Sequence, residues 1–484
     1  MYVYGVNPRI FRENDVRGHA ERDLDDATVT ALGSVLGRRA ASAAAAGTAP
    51  LLVVGRDGRL HSPRLLAALC RGATAHCRVV DLGVVPTPVV SFASQRLASP
   101  GHAAVPVAVM ITGSHNPAEE NGFKITLQGA SLHGGAVSAL RDEVAAELAA
   151  ETASALAAAR APAPQPRFEV EAMDLAEVYL ETIVSSLRLG PRRFRVAVDA
   201  GNGAAGPLAV ALLARLGFPA APLYCDIDGR FPHHHPDPTV EENLRDLAAL
   251  VTSSGAEVGI GFDGDGDRLG VLDEHRRIVW GDQLLVLFGR ALLAEVPGAR
   301  LVAEVKCSQA TFDALTEAGG EVEMWKVGHS LLKARMKETG ALLAGEMSGH
   351  FFFAHRWLGF DDGLYAAARL LELLSHDERH LAAHVDQLPP VFNTPELRVP
   401  CADDRKASVV ATVAERLRHH PQVRSLVEID GVRASFDGGW ALLRASTTQP
   451  IVVMRYEADS ERRLGEIQVL MDELVQPALG PSER

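Results

Sequence analysis

Four short stretches bring together residues whose types and spacing could do chemistry. The first is Thr112-Gly113-Ser114-His115-Asn116-Pro117. It follows the apolar run Val105 to Ile111, which reads as a buried strand, and it ends in Asn-Pro, a turn-starting dipeptide. A serine hydroxyl at such a strand exit is open to a substrate and is not used by a helix or a ladder. That suits a nucleophile or a phosphate carrier; the plain alternative is a serine that caps a turn. The second stretch, Asp263-Gly264-Asp265-Gly266-Asp267-Arg268, follows the apolar run Glu257 to Phe262. Alternating glycines let the backbone fold tightly, so Asp263, Asp265 and Asp267 can face one centre. Such hard oxygen donors suit Mg²⁺, which keeps open positions for water or a phosphoryl oxygen. Carboxylates this close repel one another without a cation. With Glu274 the spacing also imitates an EF-hand loop, but Arg268 stands where that loop turns on glycine, and the flanks read as strands.

The other two stretches offer hydrogen-bond donors and acceptors. Gly345-Glu346-Met347-Ser348-Gly349-His350 ends a strand. In an extended segment Glu346, Ser348 and His350 project to one side, a set able to hold a polyol or simply a polar strand end. Arg444-Ala445-Ser446-Thr447-Thr448 lies between two strands of the C-terminal region. Its guanidinium, hydroxyls and backbone N–H groups make either a phosphate cradle or a polar hairpin turn. Asn121-Gly122-Phe123-Lys124-Ile125 reads as a turn and a short strand that put an amine close in sequence to the serine; Arg17 lies in the opening segment, Lys306 ends the strand Leu301 to Val305, and His329 stands just before a basic helix with Lys333 and Arg335. Lys124 or His329 could move a hydroxyl proton, and Arg17, His115 and Arg268 could neutralise phosphate charge.

A rival reading rests on Gly201-Asn202-Gly203-Ala204-Ala205-Gly206, which fits G-x-G-x-x-G between a strand and a helix, with Asp226 further on. That is a dinucleotide fingerprint on spacing, and equally a tight strand-to-helix turn. His233-His234-His235 is no metal site, since sequence neighbours do not converge on one ion and the flanking prolines favour an ordered surface loop.

Positioning these groups requires parallel sheets. Strands at Leu51 to Val54, Arg78 to Leu82, Val105 to Ile111, Phe194 to Val198, Glu257 to Phe262 and Leu301 to Val305 alternate with helical segments, which implies βαβ units. Ligands of such sheets sit at the carboxyl ends of strands, where the serine and aspartate loops fall. The Pro/Ala tract Ala161 to Pro166 reads as a linker, a hairpin over Gly270 to Val279 closes the next unit, and Leu388-Pro389-Pro390 marks the last junction. The expected domains are 1–165 with the serine loop, 166–277 with the aspartate loop, 278–389 with the Glu/Ser/His loop, and a small α+β domain, 390–484, with the Arg/Ser/Thr loop.

At 484 residues the chain exceeds one core. Its 47% hydrophobic and 23% charged content is that of a globular protein. A net charge of −13 argues against nucleic acid or an anionic membrane as a partner, so an anionic substrate must be captured by local cationic clusters. No apolar run approaches a membrane span, no secretory h-region opens the chain, and the five scattered cysteines point to a reducing cytoplasm.

Taken together, TGSHNP, DGDGDR, GEMSGH and RASTT resemble the α-D-phosphohexomutase superfamily, and within it the phosphomannomutase/phosphoglucomutase group, over nearly the whole chain. The resemblance implies four domains around a central cleft: three similar mixed-sheet α/β units and a smaller C-terminal α+β domain. It implies interconversion of hexose 1- and 6-phosphates through a phosphoserine at Ser114 and a hexose 1,6-bisphosphate, with sugar phosphates as the partners. Asp263, Asp265 and Asp267 would hold Mg²⁺ with a phosphoserine oxygen. Lys306, Glu346, Ser348 and His350 would meet the sugar, and Arg444, Ser446, Thr447 and Thr448 its phosphate. The GEMSGH form implies use of both mannose and glucose. Two positions depart from the family's pattern: Asn14 replaces a tyrosine, and Thr447 an asparagine.

Overall fold

A computed structural model describes residues 5–44, 47–98, 105–157, 168–446 and 449–480. They form four sheets in chain order. The first contains β1 (Val16–His19), β2 (Leu51–Arg56), β3 (Arg78–Val84), β4 (Val107–Ile111), β5 (Glu120–Leu127), β6 (Ala130–Ser131) and β7 (Val170–Ala172). Its order is β1-β5-β4-β2-β3-β7, with β6 on β5. The β2, β3, β4 and β7 strands are parallel, while β5 runs antiparallel to β4 and β1. The second sheet contains β8 (Val196–Asp199), β9 (Ala220–Leu223), β10 (Val258–Phe262), β11 (Leu269–Leu272) and β12 (Ile278–Val279). The third contains β13 (Arg300–Glu304), β14 (Glu321–Trp325), β15 (Leu343–Gly345) and β16 (Phe351–Phe353). In both, parallel strands are finished by an antiparallel return strand. The fourth sheet is antiparallel, from β17 (Phe392–Asn393) and β18 (Leu397–Pro400) through β19 (Val423–Val427), β20 (Val432–Phe436), β21 (Gly439–Ala445) and β22 (Ile451–Ala458).

The apolar runs are continuous because the strands are covered on both faces. Leu52, Val54, Val107, Val109 and Ile111 enter a core shared with helices Asp26–Ala43 and Ser62–Ala73. The alternate residues Val53, Ala108 and Met110 enter a second core, which continues without a break through β8, β10, β13 and helix Gly363–Ser375. The first three units therefore share one core. The fourth has its own, built on β20, β21, β22 and helix Glu461–Leu479.

Two local expectations change. The turn and short strand read at Asn121–Ile125 lie within the eight-residue strand β5, which carries Lys124. Strand β7, beyond the boundary expected at residue 165, pairs with β3 and extends the first sheet. The linker read at 161–166 lies outside the described residues. No helix among them is long and apolar enough to cross a membrane.

Candidate active site

The serine loop leaves β4 under firm constraint. Asp57, in the turn after β2, accepts from the Thr112 hydroxyl at 2.8 Å and the Ser62 hydroxyl at 2.8 Å. Arg59 pairs with Asp57 at 3.1 Å and is fully buried. Its guanidinium donates to the carbonyls of Ser114 (2.8 Å), Asn116 (2.6 Å) and Glu120 (2.9 Å), and also to that of Pro117. One planar fork thus gathers the carbonyls of the whole loop. Ser114 is held at φ 51°, the left-handed region that a non-glycine residue adopts only when its surroundings over-determine it. Its amide donates to the Thr112 hydroxyl at 2.7 Å.

This conformation aims the Ser114 hydroxyl across the junction with the second unit. The hydroxyl donates to Asp263 Oδ2 at 2.9 Å and lies 3.2 Å from His115 Nδ1. Gly264 follows Asp263 where no side chain would fit: a Cβ would stand 2.4 Å from the Ser114 carbonyl oxygen. Asp263, Asp265 and Asp267 are completely buried, each with an oxygen within 4.8 Å of the others'. Lys124 Nζ from β5 reaches Asp265 Oδ2 at 2.6 Å and Asp267 Oδ2 at 2.5 Å. Thr87 donates to Asp265 Oδ2 at 2.5 Å.

The three aspartates fit a hard divalent cation. Asp265 Oδ1 and Asp267 Oδ1 are buried without a hydrogen-bond partner. Burial and repulsion from Asp267 and Asp265 push the Asp263 carboxyl well above the usual range, the condition a cation relieves. Burial works against the charge of Lys124 as well, but the aspartates around it hold its amine cationic, above the ordinary lysine value. In this arrangement Lys124 balances the charge of the aspartates.

A second group faces this one from the third unit. Arg268 Nε donates to His350 Nε2 at 2.9 Å and lies 4.0 Å from Asp263 Oδ2. A guanidinium only donates, so His350 Nε2 must hold a lone pair and the ring proton sits on Nδ1. That nitrogen is 3.5 Å from Asp361 Oδ2 and 3.6 Å from Asp267 Oδ1. Burial, reinforced by Arg268, keeps this imidazole neutral, with a pKa well below the ordinary value. His329 opens helix His329–Thr339 and stacks on His350, their centroids 5.6 Å apart. Its Nδ1 is 3.3 Å from Asp361 Oδ2, and Lys333 reaches Asp361 Oδ1 at 2.9 Å. His115 is also held neutral, by burial and by Arg268, Arg17 and Lys124. Arg17 lies on β1, paired with Asp15 at 2.6 Å and donating to Asn116 Oδ1 at 3.2 Å.

The remaining expected residues line the third and fourth units. Glu346 accepts the Gly328 amide at 2.9 Å and the Ser348 hydroxyl at 2.9 Å. Lys306, at the exit of β13, pairs with Glu396 of the fourth unit at 2.8 Å and lies 3.5 Å from Glu304. Arg444 Nε pairs with Asp430 at 3.1 Å. The Ser446 hydroxyl accepts the Gln449 amide at 3.1 Å. Thr447 and Thr448 lie outside the described residues. Sequence reading gave no site role to Thr87, Asp57, Arg59, Asp361 or Asp430, although Asp57 and Arg59 stand in a glycine-flanked basic turn, Gly55 to Arg59, at a strand end and Asp361 at a helix start.

The dinucleotide reading fails on the same geometry. The amides of Gly201, Asn202, Gly203, Ala204 and Gly206 are all engaged internally, Ala204 with the Gly264 carbonyl at 3.0 Å. That leaves Ala205 alone among the loop's amides, too few to cradle a pyrophosphate. The turn buttresses the aspartate loop instead.

Comparison with known proteins identifies the family. Family models for phosphoglucomutase/phosphomannomutase match in order: alpha/beta/alpha domain I over residues 8–154, domain II over 177–277, domain III over 280–392 and the C-terminal domain over 396–474. The chain is 41% identical over 464 residues to the phosphomannomutase/phosphoglucomutase of Pseudomonas aeruginosa, covering 95% of this chain and 94% of that protein. It is 39% identical over 460 residues to a phosphoglucomutase of Neisseria gonorrhoeae, covering 95% of each. The crystal structure of a phosphoglucomutase/phosphomannomutase family protein from Burkholderia thailandensis superposes with a TM-score of 0.86 at 40% identity, over 98% of both chains. The four domains, the loops at their strand ends and these likenesses along the whole chain place it in the phosphoglucomutase/phosphomannomutase family.

Proposed function

We propose that the protein interconverts the 1- and 6-phosphates of a hexose, mannose and/or glucose, through a phosphoserine at Ser114 and a hexose 1,6-bisphosphate. The observation that carries this reading is the Ser114 hydroxyl fixed 2.9 Å from Asp263 Oδ2, beside Asp265, Asp267 and Lys124. Phosphoryl transfer asks chiefly for positioning and charge neutralisation, and this loop has little freedom left. Asp263, Asp265 and Asp267 would hold Mg²⁺, which when bound neutralises charge on the phosphoryl oxygens.

In the first half-reaction the substrate's free hydroxyl attacks phosphorus. The Ser114 O–P bond breaks and the 1,6-bisphosphate forms. In the second, Ser114 takes back the other phosphoryl group, so the net reaction moves phosphate between C1 and C6. The attacking hydroxyl must lose a proton, and the departing oxygen must gain one. We assign that traffic to Lys124 or His329, the latter oriented through Nδ1 by Asp361 and stacked on His350, whose own lone pair is taken by Arg268. Lys124, His115, Arg17 and Arg268 surround the transferring group with positive charge or donors. Glu346, Ser348 and Lys306 present hydroxyl partners, and Arg444 with the Ser446 loop takes the phosphate that is not reacting. We place the protein in the cytoplasm, as all five cysteines are free thiols. Sugar phosphates are its partners, and the bisphosphate is its activator.

Intact-protein mass spectrometry with peptide mapping tests this. Expected is an addition of about 80 Da on Ser114, removed by incubation with hexose phosphate, and a Ser114→Ala protein that folds but turns over several orders of magnitude more slowly. A serine that stays unmodified with glucose 1,6-bisphosphate and Mg²⁺ overturns the mechanism.

A further inference from the structure

We propose that Asp430 is a positioning residue that couples phosphate capture in the fourth domain to the loop carrying His329 in the third. The proposal rests on the mutase reading above and extends it. One carboxylate oxygen, Asp430 Oδ2, takes two donors from different domains: Arg444 Nε at 3.1 Å and the backbone amide of Val327 at 3.0 Å. Both side chains of the ion pair are largely buried, at 7% and 16% exposure, so the interaction is poorly screened.

The carboxylate has little room to move. Gly431, next in the chain, stands at φ 77°, and a Cβ there would lie 2.3 Å from the Leu443 carbonyl oxygen and 2.7 Å from Arg444 Cα. The Asp430–Gly431 turn is thus pressed onto the strand that presents Arg444. On the other side, Val327 is anchored twice: by its amide, and by its side chain against the small apolar cluster of Val305, Trp440 and Leu442. The next residue, Gly328, donates its amide to Glu346 Oε1 at 2.9 Å. His329 follows, against Asp361.

A short covalent and hydrogen-bonded path therefore runs from Arg444 through Asp430 to Val327, Gly328 and Glu346, and by the chain to His329. With Nε committed to Asp430, Arg444 meets an arriving phosphate with its terminal nitrogens. A phosphate that draws on this guanidinium pulls on a carboxylate whose other ligand is the backbone two residues before His329. Capture of one phosphate then sets the loop that handles the opposite end of the sugar, as a reaction in which either phosphate occupies the cradle requires.

The test combines kinetics with hydrogen exchange, using glucose 6-phosphate as the probe. Asp430→Ala is expected to raise KM by about fivefold and lower kcat by about tenfold. Asp430→Asn keeps one oxygen able to take both donors but loses the negative charge, and is expected to recover kcat to within about threefold of wild type. In the wild-type protein, saturating glucose 6-phosphate slows amide exchange in residues 326–331; in Asp430→Ala, with ligand saturating again, that slowing is lost. Combined with His329→Gln, Asp430→Ala is expected to give a non-additive loss in kcat. Additive losses, protection at 326–331 unaffected by Asp430→Ala, or no ligand-induced protection in the wild type each overturn the coupling. If Asp430→Ala does not fold, the same exchange comparison with Asp430→Asn decides, with reduced protection expected. Absence of wild-type turnover overturns the mutase reading alone, because the exchange comparison needs only binding.

Discussion

Glu304 ends β13 with no exposure. One of its oxygens accepts the Met347 amide at 2.9 Å, and the other has no partner. Burial pushes this carboxyl up to about 8, with Lys306 pulling it down and Glu346 pushing it further up. In the unfolded chain the group ionises near its ordinary value of 4.5. Between those limits the folded state holds a proton that the unfolded state has lost, so stability falls as pH rises. The slope is about 1.4 kcal/mol per pH unit for a single such group, and it flattens above the folded value. Glu304→Gln keeps the shape and removes the titration. Urea midpoints at pH 5 and pH 8 should drop further in the wild type than in the variant; equal drops would mean that Glu304 is already ionised in the folded protein. The residues legible in the sequence are those whose partners lie within one motif, such as Asp263, Asp265 and Asp267. Glu304, Asp361 and Asp430 were not legible, because what makes them matter is a neighbour brought from elsewhere in the chain.

The serine loop shows the same division for elements. Strand β4 was readable because both its faces are buried and the apolar run is unbroken. Strand β7 was not, because all three of its residues are exposed and only its pairing with β3 defines it. The conformation of the loop after β4 was not readable either. It depends on Arg59, 55 residues before Ser114 in the chain, which reaches the carbonyls between Ser114 and Glu120. Lysine at this position keeps the charge but cannot serve that fan of acceptors from a single ammonium. Arg59→Lys should therefore fold with a lowered melting temperature and lose about 100-fold in kcat, the cost of displacing a reacting atom by about 1 Å. The transfer of phosphate from glucose 1,6-bisphosphate to Ser114, followed by mass spectrometry, should slow in parallel. A variant that is destabilised yet phosphorylated at the normal rate would show that the loop holds its shape without the guanidinium.

For the whole molecule, the decisive contrast is between the junctions. The first three domains share one apolar core, so relative motion among them would open hydrophobic surface to water. The fourth domain has its own core and meets the third mainly through polar groups. Arg433 donates to the carbonyls of Val305 at 2.6 Å and Cys307 at 2.9 Å, and its guanidinium lies 3.8 Å from the Trp440 ring centroid. Arg455 donates to the Lys306 carbonyl at 2.6 Å, and Glu457 accepts the Ser308 hydroxyl at 2.9 Å. Among the described residues, the apolar cluster spanning the junction is Val305, Trp440 and Leu442 with their neighbours. Such a junction can part and re-form while opening less hydrophobic surface to water than the junctions among the first three, so cleft opening is expected between the third and fourth domains. Arg433→Ala removes the hub and leaves the carbonyls of Val305 and Cys307 without their donor, at a cost of about 1–3 kcal/mol for each buried group left unpaired. The variant should be cut faster by protease between helix Leu381–Val385 and β17, and calorimetry should resolve a separate, lower transition for the fourth domain. The remaining transition should keep its wild-type temperature, because the core of the first three domains contains neither Arg433 nor its stacking partner Trp440. Cleavage at the wild-type rate with a single transition would mean that the fourth domain is bound to the other three as firmly as they are to one another.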